Sequence, residues 1–222
     1  MINIAIDGPS GVGKSTIAKA LAAKLGYIYI DTGAMFRGIG VYAIDNGLDI
    51  ENESDISKAA ATIDERIEYI NGEQHVFVNG KDVTERLRTE DVSKAASVVS
   101  RYQQVRDKVL ELERKLAKTE NAIMDGRDIG TVVLPDAAVK LFIIARPEVQ
   151  AERRYRQLEK SGKLGDATYE SILKDIKERD YRDSHREIAP LKKADDAVEI
   201  DTSDMEKEEV LEYVLKLIEP KI

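Results

Sequence analysis

No cysteine occurs in this sequence, which excludes a disulfide framework, a thiolate zinc site and a cysteine nucleophile. Histidine is nearly as scarce: His75 and His185 are the only two, too few and too far apart to suggest a metal cluster. No apolar run reaches transmembrane length and no signal-peptide core is present, so the cytoplasm is the expected location and no membrane partner is expected. Positive charge is in deficit, with 34 Lys+Arg against 42 Asp+Glu and a net charge of −8, which argues against a nucleic-acid partner. The cations that matter must therefore be local. From Arg146 to Lys193 thirteen Lys/Arg meet ten Asp/Glu, a net basic stretch inside an acidic chain. A length of 222 residues accommodates one α/β domain, with or without an insertion.

The most informative feature is the run Gly8, Pro9, Ser10, Gly11, Val12, Gly13, Lys14, Ser15, which has the P-loop spacing G-x-x-x-x-G-K-[ST] and is followed by Thr16. It follows a short apolar run, Ile2 to Asp7, and precedes a segment with Ile17, Leu21 and Leu25 on one helical face. A strand thus delivers the loop to a helix N-terminus, where free N–H groups and the positive end of the dipole favour a polyanion. Residues 8–16 are the expected seat of a nucleoside triphosphate, with Lys14 reaching the β- and γ-phosphates and the Ser15 hydroxyl a ligand for Mg²⁺.

Alternation continues downstream. Tyr27–Asp31, Ala122–Met124, Val139–Ala145 and Ala197–Asp201 read as strands, and Pro147–Lys160, Thr168–Arg182 and Glu206–Ile218 as helices. Strands separated by helices imply an α/β fold: a P-loop core with a parallel sheet flanked by helices and ligands at the carboxyl ends of the strands. The stretch from Leu48 to Glu120 breaks the rhythm. It holds a helical pattern, Ser54–Ile63, then Arg66–Ile70 and Val76–Val78 beside two Asn-Gly dipeptides, strong hairpin signals, and then a long helix expected from Thr89 to Leu116. An inserted subdomain within one domain is the expected arrangement.

Three further constellations follow strand or helix ends. In Asp31-Thr32-Gly33-Ala34-Met35-Phe36-Arg37, Asp31 or Thr32 is suited to cap a helix that turns Arg37 toward a cleft. Asp125-Gly126-Arg127-Asp128-Ile129-Gly130 alternates charge with glycines that allow close backbone approach, and Asp125 is a candidate to hold a Mg²⁺-bound water. In the run from Lys177 to Arg186, a continuous helix would place Arg179, Asp183 and Arg186 on one face.

The strings GPSGVGKST, DTGAMFR, DGRDIGTVVLPDA, RRYRQL and ERDYRDSHREIAPL, with Ser97 and Val105-Arg106 between the second and third, resemble bacterial cytidylate kinases in order and nearly end to end. The P-loop is common to many NTPases, whereas DGRDIGTVV and RDxxDSxRxxAPL are far more specific. The resemblance implies transfer of the γ-phosphoryl group of ATP to CMP or dCMP within a single domain 1–222 that carries a monophosphate-binding region at 33–118 and a lid at 153–167; a monomer is the default expectation, since this reading needs no shared site. It also implies a phosphate clamp of Arg37, Arg127 and Arg186, cytosine contacts from Ser97, Arg106 and Asp128, sugar contacts from Arg179 and Asp183, and lid arginines Arg153 and Arg154. Phe36 stands where the family commonly has Tyr, so any hydroxyl contact is lost while ring packing can remain; Thr32, a substrate-site position, keeps the hydroxyl of the Ser also found there.

The chemistry suits this arginine inventory. Two polyanions must meet in line, the acceptor is already an ionised phosphate oxygen, and positioning with charge stabilisation supplies most of the rate, so neither a base nor a covalent nucleophile is required. A regulatory GTPase would carry an Asn-Lys-x-Asp guanine reader, which is absent. Kinases of UMP, AMP or shikimate share the P-loop and are separated only by their acceptor.

Overall fold

The computed structural model describes residues 1–221. In chain order its elements are β1 (Asn3–Asp7), α1 (Lys14–Leu25), β2 (Ile28–Asp31), α2 (Thr32–Asp45), α3 (Glu53–Thr62), β3 (Glu65–Ile70), β4 (Glu73–Val78), β5 (Lys81–Asp82), α4 (Glu90–Val99), α5 (Gln103–Thr119), β6 (Ala122–Gly126), β7 (Val139–Ile144), α6 (Pro147–Lys160), α7 (Tyr169–His185), β8 (Val198–Asp201) and α8 (Lys207–Ile218). A π-helical turn at Ile129–Val133 follows β6. The chain divides into two compact units, one of residues 29–120 with Met1, the other of residues 2–28 and the chain from Asn121 onward.

The second of these is the P-loop unit. Its strands run parallel in the order β6-β1-β7-β8, with Ile4 opposite Ile123 on one side and Val139 on the other, and Ile143 opposite Ile200. Ile28 donates its N–H to the Asn121 carbonyl just before β6, at 3.0 Å. The strands are short apolar runs because both faces are covered: Ile4, Ala5, Ile6, Ile123, Met124 and Ile143 are fully buried. Helix α1 contributes Ile17, Ala18 and Leu21 to the core, and α8 contributes Val210, Val214 and Ile218 at helical spacing. This is the α/β parallel-sheet fold expected, with the P-loop at the carboxyl end of β1.

Helices α6 and α7 form a hairpin with its own small core, Ala151, Ile172 and Ile176, over which Tyr155, Leu158 and Leu164 pack. Thr168 opens α7 with a capping box to Ser171. Helix α7 ends at His185, and Arg186 takes extended geometry (φ −67°, ψ 146°), so the expected single face of Arg179, Asp183 and Arg186 is corrected: Arg186 lies off the helix. The chain folds back there, Leu191 donating to the Asp183 carbonyl at 2.8 Å, and the Ala189-Pro190 pair is incompatible with helix continuation.

In the 29–120 unit, α2–α5 accompany an antiparallel hairpin sheet β3-β4-β5. Its turns use Asn71-Gly72 (φ 53° and 80°) and Asn79-Gly80 (φ 48° and 80°), the left-handed pairs that the Asn-Gly signals foretold. The long helix expected from Thr89 to Leu116 is instead two helices, α4 and α5. Tyr102 adopts extended geometry (φ −87°, ψ 129°) between them and is buried, its hydroxyl donating to the Ile50 carbonyl at 2.9 Å. Inward anchoring of one aromatic overrides a helical pattern that is otherwise continuous. Glu65 on β3 is buried against Gly38 with neither carboxylate oxygen hydrogen-bonded. Burial pushes its carboxyl up to about 8, with Lys108 a smaller opposing influence, which favours the neutral acid near pH 7.

Gly8 is where the P-loop leaves β1. At φ +147°, a Cβ there would lie 2.0 Å from the Ile143 carbonyl oxygen of β7, whereas at Gly26, also at positive φ, nothing lies within 4 Å. Gly8→Ala should therefore cost ~3 kcal/mol or more in chemical denaturation, against ~1 kcal/mol of backbone strain for Gly26→Ala. Equal losses would show that the close approach to β7 is not what requires glycine.

Candidate active site

Turning the chain from β1 into α1 places the P-loop backbone at a helix N-terminus, with Gly8, Gly11 and Gly13 all at positive φ. Lys14 opens α1 and folds back over the loop, its Nζ donating to the Pro9 carbonyl at 2.5 Å. The side chain is only 6% exposed, and burial, aided by the charge of Arg127, pushes Lys14 down to about 7. Ser15 Oγ donates to Asp125 Oδ2 at 2.6 Å, so the end of β6 lies directly against the loop. Ser10 donates its N–H to Asp180 Oδ1 of α7 at 2.9 Å.

Around the ends of β1 and β6, cations and carboxylates alternate. Arg127 Nε donates to Asp183 Oδ2 at 2.8 Å, and Arg186 Nη2 approaches Asp128 Oδ1 at 3.4 Å. Burial works against the charge of Arg127, but Asp183, with Asp180 and Asp125 farther off, outweighs it and holds the guanidinium above its usual range. Burial likewise pushes Asp183 up, and Arg127 with Arg179 more than offsets this, leaving the carboxyl below the usual range. The backbone of this turn is held by Asp7, the last residue of β1: its Oδ1 and Oδ2 accept from the N–H groups of Ile129 and Gly130 at 2.8 and 2.7 Å. Burial pushes Asp7 up to about 6 against those two bonds.

The 29–120 unit carries its own cluster. Asp31 caps α2, Oδ1 accepting from Ala34 N at 3.0 Å, while Oδ2 accepts from Arg37 Nη2 at 2.6 Å. Gln74 of β4 clamps the Asp31 backbone by accepting from its N–H at 2.7 Å and donating to its carbonyl at 3.1 Å. Arg37 Nε is buried with no hydrogen-bond partner. Gly33 leaves room for this pair, since a Cβ there would lie 3.0 Å from Arg37 Nη1. Arg106 is buried, donates Nη1 to the Ser100 carbonyl at 3.0 Å and sits 5.4 Å from the Phe36 ring centroid, so ring packing is retained at this position without a hydroxyl. Thr32 is buried in the first turn of α2, and Ser97 lies half-buried in the last turn of α4.

The sequence-expected residues thus form two groups: Lys14, Ser15, Asp125, Arg127, Asp128, Arg179, Asp183 and Arg186 in the P-loop unit, and Thr32, Arg37, Ser97 and Arg106 in the other. Arg153, expected as a lid arginine, bonds protein groups in this structure. Its Nη2 donates to the Thr202 carbonyl at 2.6 Å and its Nη1 to the Thr202 hydroxyl at 3.0 Å and the Val12 carbonyl at 3.4 Å, which ties α6 to the loop after β8 and to the P-loop. Arg154 bonds Gln157 on the same helix. Two residues with evident roles carried no individual reading in the sequence, Asp7 and Asp180. A carboxylate ending an apolar strand was the only local signal for Asp7, and the partner of Asp180 lies 170 residues away. Grooves of about 380 and 630 Å³ lie on the surfaces of α7 and α5, and neither is lined by a P-loop residue.

A family model described as cytidylate kinase matches residues 4–220. Curated relatives of the same name are 47% identical in Caldicellulosiruptor bescii, over 97% of this chain and 95% of that protein, and 48% identical in Lactobacillus johnsonii, over 100% and 95%. The chain belongs to the cytidylate kinase family. A shikimate kinase structure from Bacteroides thetaiotaomicron, at 11% identity, covers 98% of each chain with a TM-score of 0.51, a likeness of fold alone.

Within this family the Ser15–Asp125 pair fits a magnesium ion that comes with the nucleotide: a hydroxyl and one carboxylate are a partial donor set, which phosphate oxygens and water would complete. Among the described residues no group of three or more His, Cys, Asp or Glu could hold an ion alone.

Because Lys14 sits near 7 in the free protein, contact with a polyanion must raise it and draw in a proton. At pH 8, ATP binding should take up close to one proton, read by calorimetry in buffers of different ionisation enthalpy, and Lys14→Ala should abolish that uptake. Uptake unchanged in the variant would assign the proton elsewhere.

Proposed function

We propose that this enzyme transfers the γ-phosphoryl group of ATP to CMP or dCMP, giving ADP and CDP or dCDP. The observation that carries the reading is the seat itself: a P-loop lysine, a serine–aspartate pair and two arginines meet at the ends of β1 and β6, each arginine held by a carboxylate that a phosphate could replace. The family supports cytidylate as the acceptor.

In this mechanism backbone N–H groups of residues 8–16 and Lys14 hold the donor phosphates, and Lys14 follows charge onto the leaving oxygen. Arg127, Arg186 and Arg37 bind the acceptor phosphate and stabilise the equatorial oxygens in transit. Ser15, and Asp125 through water, would hold Mg²⁺, which when bound neutralises charge on the donor phosphates. Arg179 and Asp183 orient the sugar. Asp128 accepts from the cytosine amine, while Arg106 and Ser97 serve the ring acceptors, a pattern that uracil, with a carbonyl in place of the amine, fails to match. We assign 153–167 as a lid, because the α6–α7 connection contains Gly162 and Gly165 at positive φ and closure would exclude water from the donor. In the lid Arg154, which bonds Gln157 on its own helix, is the residue assigned to turn toward nucleotide, whereas Arg153 acts by fixing α6. The proposed setting is pyrimidine nucleotide metabolism in the cytoplasm, where both substrates occur, and the proposed state is a monomer, since no step calls on a second copy. No described helix is long and apolar enough to cross a membrane.

ADP release measured with ATP and a panel of CMP, dCMP, UMP, AMP and shikimate tests the acceptor: CMP and dCMP should lead, and preference for any other acceptor would overturn the reading. Lys14→Ala should lower kcat by on the order of 10²-fold or more with the fold intact; near-normal turnover at saturating substrates would remove the P-loop from the mechanism. Asp128→Ala should lower kcat/KM for CMP far more than for UMP. A uniform loss on both would mean that Asp128 serves only to hold Arg186.

A further inference from the structure

Asp180 carries no role in the reaction as described, yet it is the carboxylate that α7 sends into the P-loop. Its Oδ1 accepts the Ser10 N–H at 2.9 Å. It lies between two residues assigned to the acceptor, Arg179 and Asp183, and Asp183 in turn grips Arg127 at 2.8 Å. The bonds close a circuit: from the donor loop through Asp180 into α7, from Asp183 to Arg127 at the end of β6, and from Asp125 on that strand back to Ser15 of the loop at 2.6 Å. A rigid helix inside such a circuit cannot move one end alone.

We infer that Asp180 is a positioning residue that couples the two nucleotide sites, transmitting the setting of the P-loop on ATP to Asp183 and Arg127, and so tightening the acceptor site when the donor site is filled. The inference rests on the assignments made above for the donor loop and for Arg179, Asp183 and Arg127. Asp180 is half-buried at the protein surface, so its replacement leaves the core untouched. The hydrogen bond needs only an acceptor oxygen at this reach, which an asparagine amide also provides; alanine removes the bond, and glutamate overshoots it by one methylene.

The test is acceptor affinity measured by calorimetry with and without a non-hydrolysable ATP analogue and Mg²⁺, in the full-length protein and in Asp180→Asn, Asp180→Ala and Asp180→Glu. The ratio of the two affinities is the readout, because loss of a negative charge beside two anionic nucleotides shifts both affinities together. The analogue should tighten CMP binding by about fivefold or more in the native protein. Asp180→Asn should retain that ratio within twofold, and Asp180→Ala and Asp180→Glu should bring it close to one, all with melting temperatures near that of the native protein. Should the alanine variant fail to fold, the glutamate variant decides. A native ratio of one, a native-like ratio in the variants that break the bond, or loss of the ratio in Asp180→Asn as complete as in Asp180→Ala would each overturn the coupling. If the substrate panel selects another monophosphate, the acceptor assignment falls, and the ratio measured with that monophosphate still decides the role of Asp180.

Discussion

A seat for polyanions must fold while it is empty, and that constraint explains much of this molecule. Arginines buried for phosphate, the role proposed for them, lose hydration, so each needs a temporary anion. Asp183 serves Arg127, Asp128 serves Arg186 and Asp31 serves Arg37. Among the described residues no such carboxylate lies at bonding distance of Lys14; it turns onto the Pro9 carbonyl and sits near 7. The free protein thus carries its cations in two forms, neutralised by a neighbour or partly discharged. Phosphate binding exchanges one anion for another, which keeps the cost of preorganisation low.

The scaffold has a separate task, to hold backbone rather than charge. Asp7 spends both oxygens on the N–H groups of Ile129 and Gly130, so the strand that begins the P-loop also shapes the turn after Arg127 and Asp128. Arg153 does the reverse with a cation, donating to the carbonyls of Val12 and Thr202. Each is a charged side chain satisfied largely by backbone, and each joins segments distant in sequence around one loop.

The parts of this architecture legible in the sequence are those with local causes. The P-loop, the Asn-Gly turns, the apolar strands and the Asp31 cap each depend on residues within a few positions of one another. Three features escaped, two of them because their causes are distant. The break between α4 and α5 exists because Tyr102 reaches the Ile50 carbonyl, and no residue near Tyr102 signals it. Arg186 leaves α7 because the chain turns at Ala189-Pro190 to bring Leu191 back to the Asp183 carbonyl, a reversal that outweighs the helical spacing. Arg153, a lid arginine by resemblance, bonds Thr202 in the loop after β8, a partner that its own helix does not signal. Which carboxylate would partner which arginine was equally hidden, since Arg127 and Asp183 stand 56 residues apart.

Asp31 divides its labour by atom. One oxygen accepts from Ala34 and starts α2; the other accepts from Arg37. The two duties share a carboxyl group but not a lone pair, so a phosphate that lures the guanidinium away leaves the helix start intact. The role proposed for Arg37 is thereby uncoupled from the integrity of the element that carries it: the cation could change allegiance at every turnover without the helix having to re-form.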